Sequence, residues 1–213
     1  MLLDYTEIQT VKLYNEFDSV VLSYDRNGSF EQQSLEFFKN SLKENEVCLD
    51  IGSYTGLYAI LAAKHGCNVF AFEPIKKHCD RIRKNVELNN VKLNIVNSAI
   101  LDEDVSTKRM YFTNKSIMNS AARFEKSNFE FEDVSVVNRI DITNKICSIK
   151  IDVENSEVSV LSVLMHLIER DQPNMVIEAL STKQEDQIKQ KLSHLNYTFE
   201  CVDKYNLIAY IKY

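Results

Sequence analysis

Glycine is scarce in this chain, cysteine forms no paired motif, and neither a basic excess nor a long apolar run is present. The five cysteines, Cys48, Cys67, Cys79, Cys147 and Cys201, are odd in number and include no Cys-x-x-Cys. Several sit in apolar surroundings, as in Val47-Cys48-Leu49. That usage argues against a disulfide framework or a zinc site and for reduced core residues. His65, His78, His166 and His194 lack metal-ligand spacing, so no metal is expected; His78 and His166 read as ordinary, partly exposed helix residues. A net charge of −6, from 25 Lys+Arg against 31 Asp+Glu, gives no general attraction to nucleic acid or acidic membranes. No apolar run approaches the ~20 residues of a membrane span, and MLLDYTEIQT has neither the basic region nor the apolar run of a signal peptide. A soluble, cytoplasmic protein without a membrane span is the expectation.

What is present is an alternation. Near-continuous apolar runs rich in Val, Ile and Phe occupy 46–51, 68–72, 93–97, 147–153 and 174–178, as suits strands buried on both faces. Helical stripes lie before, between and after them: Leu35, Phe38 and Leu42; Cys79, Ile82 and Val86; Val158, Leu161, Met165 and Ile168; Ile188, Leu192 and Leu195. A further segment, 57–65, ends at Gly66, which reads as a C-terminal helix cap. Strand–helix alternation predicts an α/β fold with a mostly parallel sheet and helices on both faces. Two runs at 197–202 and 206–212 predict a closing antiparallel hairpin. Residues 1–45 read as an N-terminal hairpin and helix extension. Residues 105–146, with strand-like runs at 109–113 and 134–140 around a polar loop, read as an insertion bordering a functional site. All 213 residues are assigned to one domain.

Two of the four glycines fall in one short run, Asp50-Ile51-Gly52-Ser53-Tyr54-Thr55-Gly56, after the first central strand and before a helix. In an open α/β sheet that position lines the ligand crevice. Gly52 would let the backbone turn and approach a ligand, and Gly56 would allow close strand–helix packing. Glu73 ends the next strand 21 residues after Gly52, where an acid commonly accepts hydrogen bonds from a ribose diol. A nucleoside-containing ligand follows. The spacing is Gly-x-x-x-Gly, so the glycine that admits a dinucleotide pyrophosphate is replaced by Tyr54. No Gly-Lys-Ser/Thr follows, which excludes a Walker loop. Asp50 suits a cationic group better than a phosphate. S-adenosylmethionine, with an ammonium and a sulfonium and no phosphate, meets these conditions.

The stretches VCLDIGSYTGLYAILAAKHGCNVFAFEP, RKNVELNN, VNSAI and IKIDVENSEVSVL together resemble the FkbM-type family of S-adenosylmethionine-dependent methyltransferases. The likeness runs from about Ser29-Phe30-Glu31 to Asn206-Leu207-Ile208-Ala209. It implies a Rossmann-like class I methyltransferase fold with a seven-stranded sheet and a reversed last strand. It also implies that Asp50, Gly52, Ser53, Tyr54, Thr55 and Gly56 hold the methionine part of the cofactor, and that Glu73, beside Pro74, holds the ribose. Ser98 and Ala99 would border the adenine, and Asp152 would lie beside cofactor and acceptor. Family members methylate hydroxyl groups on sugars or secondary metabolites, so a glycan or small-molecule hydroxyl is the implied acceptor. One departure stands out: Asn155-Ser156 replaces the family's usual Gly-Ala.

The chemistry can be read from the residues as well. Methyl transfer from a sulfonium is an in-line displacement, and a hydroxyl acceptor benefits from a carboxylate that takes its proton. On a strand, Lys150, Asp152 and Glu154 share a face, so Asp152 and Glu154 would emerge into the crevice as catalytic candidates. Lys150 would neutralise a neighbouring carboxylate or bind substrate. Glu178, at the end of the fifth central strand, and Asn119 and Arg123, in the long loop, are further substrate candidates. Glu157 would favour the N-terminus of the next helix, with Asn155 as its cap. The basic run Lys76, Lys77, Arg81, Arg83 and Lys84 reads as a solvated helix face. Two other readings stay open. Arg83-Lys84-Asn85 through Asn89-Asn90 resembles the second helix of some tRNA-modifying enzymes, and Asn155-Ser156 could mark a cofactor-binding module without transfer activity. Against the former, the usual proline-containing motif after the fourth strand is absent.

Overall fold

A computed structural model describes residues 5–15, 19–112, 124 and 130–212. A short hairpin, β1 (Tyr5–Ile8) and β2 (Val11–Tyr14), precedes α1 (Ser19–Asn27) and α2 (Gln32–Ser41). The alternation then begins: β3 (Val47–Ile51), α3 (Leu57–Lys64), β4 (Asn68–Phe72), α4 (Lys76–Asn89) and β5 (Asn94–Val96). Next come β6 (Ala99–Ile100), β7 (Thr107–Phe112), β8 (Glu130–Val137), β9 (Ile146–Ile151), α5 (Glu157–Asp171) and β10 (Asn174–Glu178). The chain closes with α6 (Thr182–Lys191), β11 (Tyr197–Val202) and β12 (Asn206–Ile211).

Seven strands form one sheet in the order β11-β12-β10-β9-β3-β4-β5. The pairings among β10, β9, β3, β4 and β5 are parallel, whereas β12 runs antiparallel to both β10 and β11. The expected Rossmann-like sheet with a reversed last strand is therefore present. Strands β3 and β9 are buried along their whole length, which is why they carry continuous apolar runs. Alternate residues of β3 feed different cores. Val47, Leu49 and Ile51 pack with α5 residues such as Leu161 and Leu164, while Cys48 packs with α2 and α3 residues such as Phe38 and Leu61. Strands β7 and β8, from the 105–146 segment, form a separate three-stranded sheet with β6, in the order β6-β8-β7.

The N-terminal hairpin is clasped to α4 by two asparagines one helical turn apart. Asn89 accepts the Lys12 N–H at 2.9 Å and donates to the Lys12 carbonyl at 2.6 Å, as a neighbouring strand would. Asn85 accepts the Tyr14 N–H at 3.0 Å and donates to the Thr55 carbonyl at 2.8 Å. Asn85 is buried, so both of its bonds replace water. Of the basic run on α4, Lys76, Lys77, Arg83 and Lys84 are exposed, but Arg81 is buried with its guanidinium 5.2 Å from the Tyr54 ring centre.

Strand order reverses around β3, which lies between β4 and β9. Here the chain leaves β3 through Gly52 at φ 80°. The Asp152 N–H donates to the Ile51 carbonyl at 2.9 Å, and the Gly52 N–H to the Phe72 carbonyl at 2.9 Å. A Cβ on Gly52 would stand 1.7 Å from the Asp152 carbonyl oxygen. Gly52 is therefore required by the backbone of the segment after β9. A Gly52→Ala variant is expected to lose more than about 3 kcal/mol of stability or to fail to fold. Gly28→Ala, also at positive φ but with nothing within 4 Å, should lose about 1 kcal/mol. Equal losses in chemical denaturation would contradict this account.

Candidate active site

The carboxyl ends of β3, β4, β9 and β10 open into a cavity of about 230 Å³ that is partly open to solvent. One side is lined by Gly52, Tyr54, Glu73, Pro74, Ile75, His78, Ser98 and Ala99. The other carries Glu31, Asp152, Glu154 and Glu178, with Val20 and Phe30 from the N-terminal helices and the segment between them. Met110 and Phe124 bring the insertion to the same cavity. Asn119 and Arg123 lie outside the described residues.

Glu73 organises the first side. Its carboxylate accepts the Tyr54 N–H at 3.0 Å through Oε2 and the Ile75 N–H at 2.9 Å through Oε1. His78 Nδ1 lies 3.2 Å from the same Oε1. Glu73 is buried and joins the loop after β3 to the start of α4, and Oε2 retains a lone pair for a further donor. Tyr54 sits at φ 49°, its ring edge-on to His78 at 4.8 Å. His78 is thus a buried partner of Glu73, not the partly exposed residue expected from its helical position.

Asp50 serves the loop from behind. It is 2 % exposed and absent from the cavity wall, as are Ser53, Thr55 and Gly56. Its Oδ2 accepts the Ser53 hydroxyl at 2.6 Å and the Ala59 N–H at 3.0 Å. Gly56, the N-cap of α3, has no side chain to cap that helix, and Asp50 supplies the missing acceptor from the strand. Burial pushes its carboxyl up to about 6, against the opposing pull of the Ser53 bond, Lys150 and the Ala59 N–H. Both bonds fall on Oδ2 and neither occupies Oδ1.

The second side is acidic. Asp152, Glu154 and Glu178 bring carboxylate oxygens within 4.8 Å of one another, close enough to share a cation, a grouping that the dispersed histidines did not foreshadow. Lys150 lies beneath it, buried and outside the wall. Its Nζ is 3.4 Å from Asp152 Oδ2, 3.9 Å from Glu31 Oε2 and 3.1 Å from Asn206 Oδ1. Burial disfavours its charge, yet Asp152, Glu31, Glu178 and Asp50 more than offset this and raise its proton affinity. Among the described residues Glu178 Oε2 is buried without a hydrogen-bond partner. Burial first, then Asp152 and Glu154, push the Glu178 carboxyl up to about 10, so it holds its proton at neutral pH.

The turn after β9 explains the unusual Asn155-Ser156. Glu154 and Asn155 both adopt left-handed backbone, at φ 54° and 81°. Asparagine enters that region more readily than most residues, so the turn a glycine would make survives. Ser156, not Asn155, is the N-cap of α5, and it makes no side-chain cap bond. Glu157 does the capping instead: its Oε1 accepts the Val153 and Asn155 N–H groups, each at 3.2 Å, and Oε2 accepts the Gln184 amide.

Sequence reasoning misses Glu31, which adopts φ 40° at the N-cap of α2 and accepts the Tyr58 hydroxyl at 2.6 Å. A glutamate before an amphipathic helix reads as a helix-end charge. Only its convergence with Lys150 and Tyr58 in space reveals another role.

The sequence model of the methyltransferase FkbM domain matches residues 50–204. The chain belongs to this family. As an FkbM domain it has distant structural neighbours. An FkbM methyltransferase from Methylobacillus flagellatus is 18% identical with a TM-score of 0.54, the match covering 93% of this chain and 56% of that one. The tRNA (uracil-54, C5)-methyltransferase of Pyrococcus abyssi, in complex with S-adenosyl-L-homocysteine, is 15% identical with a TM-score of 0.53, covering 97% and 44%. An rRNA methylase from Streptococcus thermophilus is 9% identical with a TM-score of 0.53, covering 84% and 95%. At these identities the likeness is one of fold, and this chain spans about half the length of the first two. No curated protein matches. Among the described residues no helix is long and apolar enough to cross a membrane.

The raised Glu178 carboxyl has a consequence for stability. The native state keeps a proton that the unfolded chain releases near pH 4.5, so the contribution is full in acid and is lost as pH rises toward about 10. Glu178→Gln should therefore stabilise the FkbM domain increasingly from about pH 5 to about pH 9, by at least about 1 kcal/mol across the range. A difference in unfolding free energy that stays flat with pH would contradict the assignment.

Proposed function

We propose that this FkbM domain is an S-adenosylmethionine-dependent methyltransferase acting on a hydroxyl of a sugar, glycan or small metabolite. The observation that carries the reading is the meeting of two halves in one cavity. Gly52, Tyr54 and Glu73 form a nucleoside-binding half without phosphate ligands, and Asp152 and Glu154 end the strand beside it. When bound, S-adenosylmethionine supplies a methyl group made electrophilic by the sulfonium. The residues fit such a group: Glu73 Oε2 has capacity for a ribose hydroxyl, Ser98 and Ala99 offer a border for the base, and the acidic side suits a cationic centre. Asp152, or Glu154 beside it, would take the proton of the acceptor hydroxyl as its oxygen gains the methyl and the methyl–sulfur bond breaks, leaving a neutral thioether. Protonated Glu178 would donate a hydrogen bond to acceptor or carboxylate, keeping the cluster from carrying three like charges.

Two observations bear on the alternatives. Neighbours of the same fold include tRNA and rRNA methylases, which keeps an RNA acceptor in view. Yet Asn85 and Asn89, from the segment resembling tRNA-modifying enzymes, are engaged with the N-terminal hairpin. Four carboxyl-bearing residues on the second side also disfavour a polyanion. The left-handed Asn155 preserves the turn whose sequence suggested an inactive module.

Calorimetric titration with S-adenosylhomocysteine is the first test, and absence of binding by the folded chain would reject both the sugar and the RNA readings. Glu73→Ala should weaken that binding by about tenfold or more, the cost of losing charged hydrogen bonds. With labelled S-adenosylmethionine and a panel of glycans, small hydroxylated metabolites and RNA transcripts, label should enter the first two classes. Asp152→Ala should lower the turnover rate by about 10²-fold or more. Undiminished turnover would remove Asp152 from the chemistry.

A further inference from the structure

Lys150 is a buried cation that the reaction outlined above does not use. It lies outside the cavity wall, so it is not placed to touch a ligand. Its neighbours come from separate parts of the fold: Asp152 from the segment after β9, Glu31 from the N-cap of α2, and Asn206 from the start of β12. The Tyr58 ring on α3 closes the remaining side, its centre 5.1 Å from Nζ. Tyr58 in turn donates its hydroxyl to Glu31. Asp152 and Glu31 both line the cavity, and the one ammonium lies against both.

We propose that Lys150 is a positioning residue of the transfer site: its sealed ammonium holds the carboxylates of Asp152 and Glu31 in place and sets how strongly that side of the cavity attracts a cation. The proposal rests on the methyltransferase reading above and adds a charge balance to it. Without Lys150 the acidic side would draw a cationic donor strongly. It would then favour the charged ground state over a transfer in which the sulfonium charge disappears. With Lys150 beneath, part of that attraction is cancelled at a point where no solvent screens it. The ammonium also joins α2 to the strand end, so the N-terminal extension helps to orient Asp152.

The test needs no acceptor. Full-length protein is titrated with S-adenosylhomocysteine, which is neutral at sulfur, and with sinefungin, in which a carbon bearing an ammonium replaces the sulfonium and its methyl. The readout is the ratio of the two affinities. Lys150→Met should raise the preference for sinefungin by about tenfold, the effect of removing one unit charge in a poorly screened site. Lys150→Arg should keep the ratio within about threefold of the parent. A packing defect would shift both affinities together, and an unchanged ratio in Lys150→Met would overturn the proposal. If that variant does not fold, the charge-balanced Lys150→Met/Glu31→Gln double variant decides. A ratio near the parent value supports the proposal, because the two changes cancel, whereas a fall in sinefungin preference overturns it. Failure of the parent to bind either compound would instead reject the methyltransferase reading.

Discussion

The site depends on a single close approach, the backbone of Gly52 against the carbonyl of Asp152. Strands β3 and β9 are already paired, but pairing alone would not bring their exits together. The chain leaving β3 must turn at positive φ, and the residue after β9 must pass where a side chain would otherwise be. Once it does, the Asp152 N–H completes the ladder to Ile51. The loop after β3 and the acidic strand end then share one floor. Tyr54, Glu73, Asp152 and Glu154 line the same cavity because of that contact.

Charge is managed around this floor by burial as much as by pairing. Asp50 is withdrawn to cap α3, Glu157 to cap the turn before α5, and Lys150 to lie beneath the wall. Each is a charged residue in a segment that otherwise reads as core. Each is tolerated because hydrogen bonds or an opposite charge replace the water it loses. Asp152 and Glu154 differ in remaining partly exposed and lining the cavity.

Much of this was legible in the sequence. The five central strands were readable because strands buried on both faces must be apolar throughout, and the closing hairpin because its two runs flank a short turn. The Gly52 loop and Glu73 were readable because few residue types serve those positions. Other features were hidden for physical reasons. Glu31 meets Tyr58, and His78 meets Tyr54, across long stretches of sequence, contacts that no local pattern encodes. The cap of α5 was placed one residue early, on Asn155 instead of Ser156, and the Asp50 bonds to Ser53 and Ala59 were not foreseen, because an acid at a strand end can face a ligand or turn back to a helix. Asn85 and Asn89 sat within a stretch whose likeness to RNA-modifying enzymes concealed a local use, the clasp on β2.

The left-handed asparagine after β9 has an effect beyond shape. Glycine at that position would leave the unfolded chain, and any open form of the site, a broad choice of backbone conformations. Asparagine reaches the same φ from a smaller set of alternatives. Ordering the turn then costs less entropy, and Glu154 and Asp152 are held near one arrangement before a ligand arrives. An asparagine at this position gives up adaptability in the turn for preorganisation.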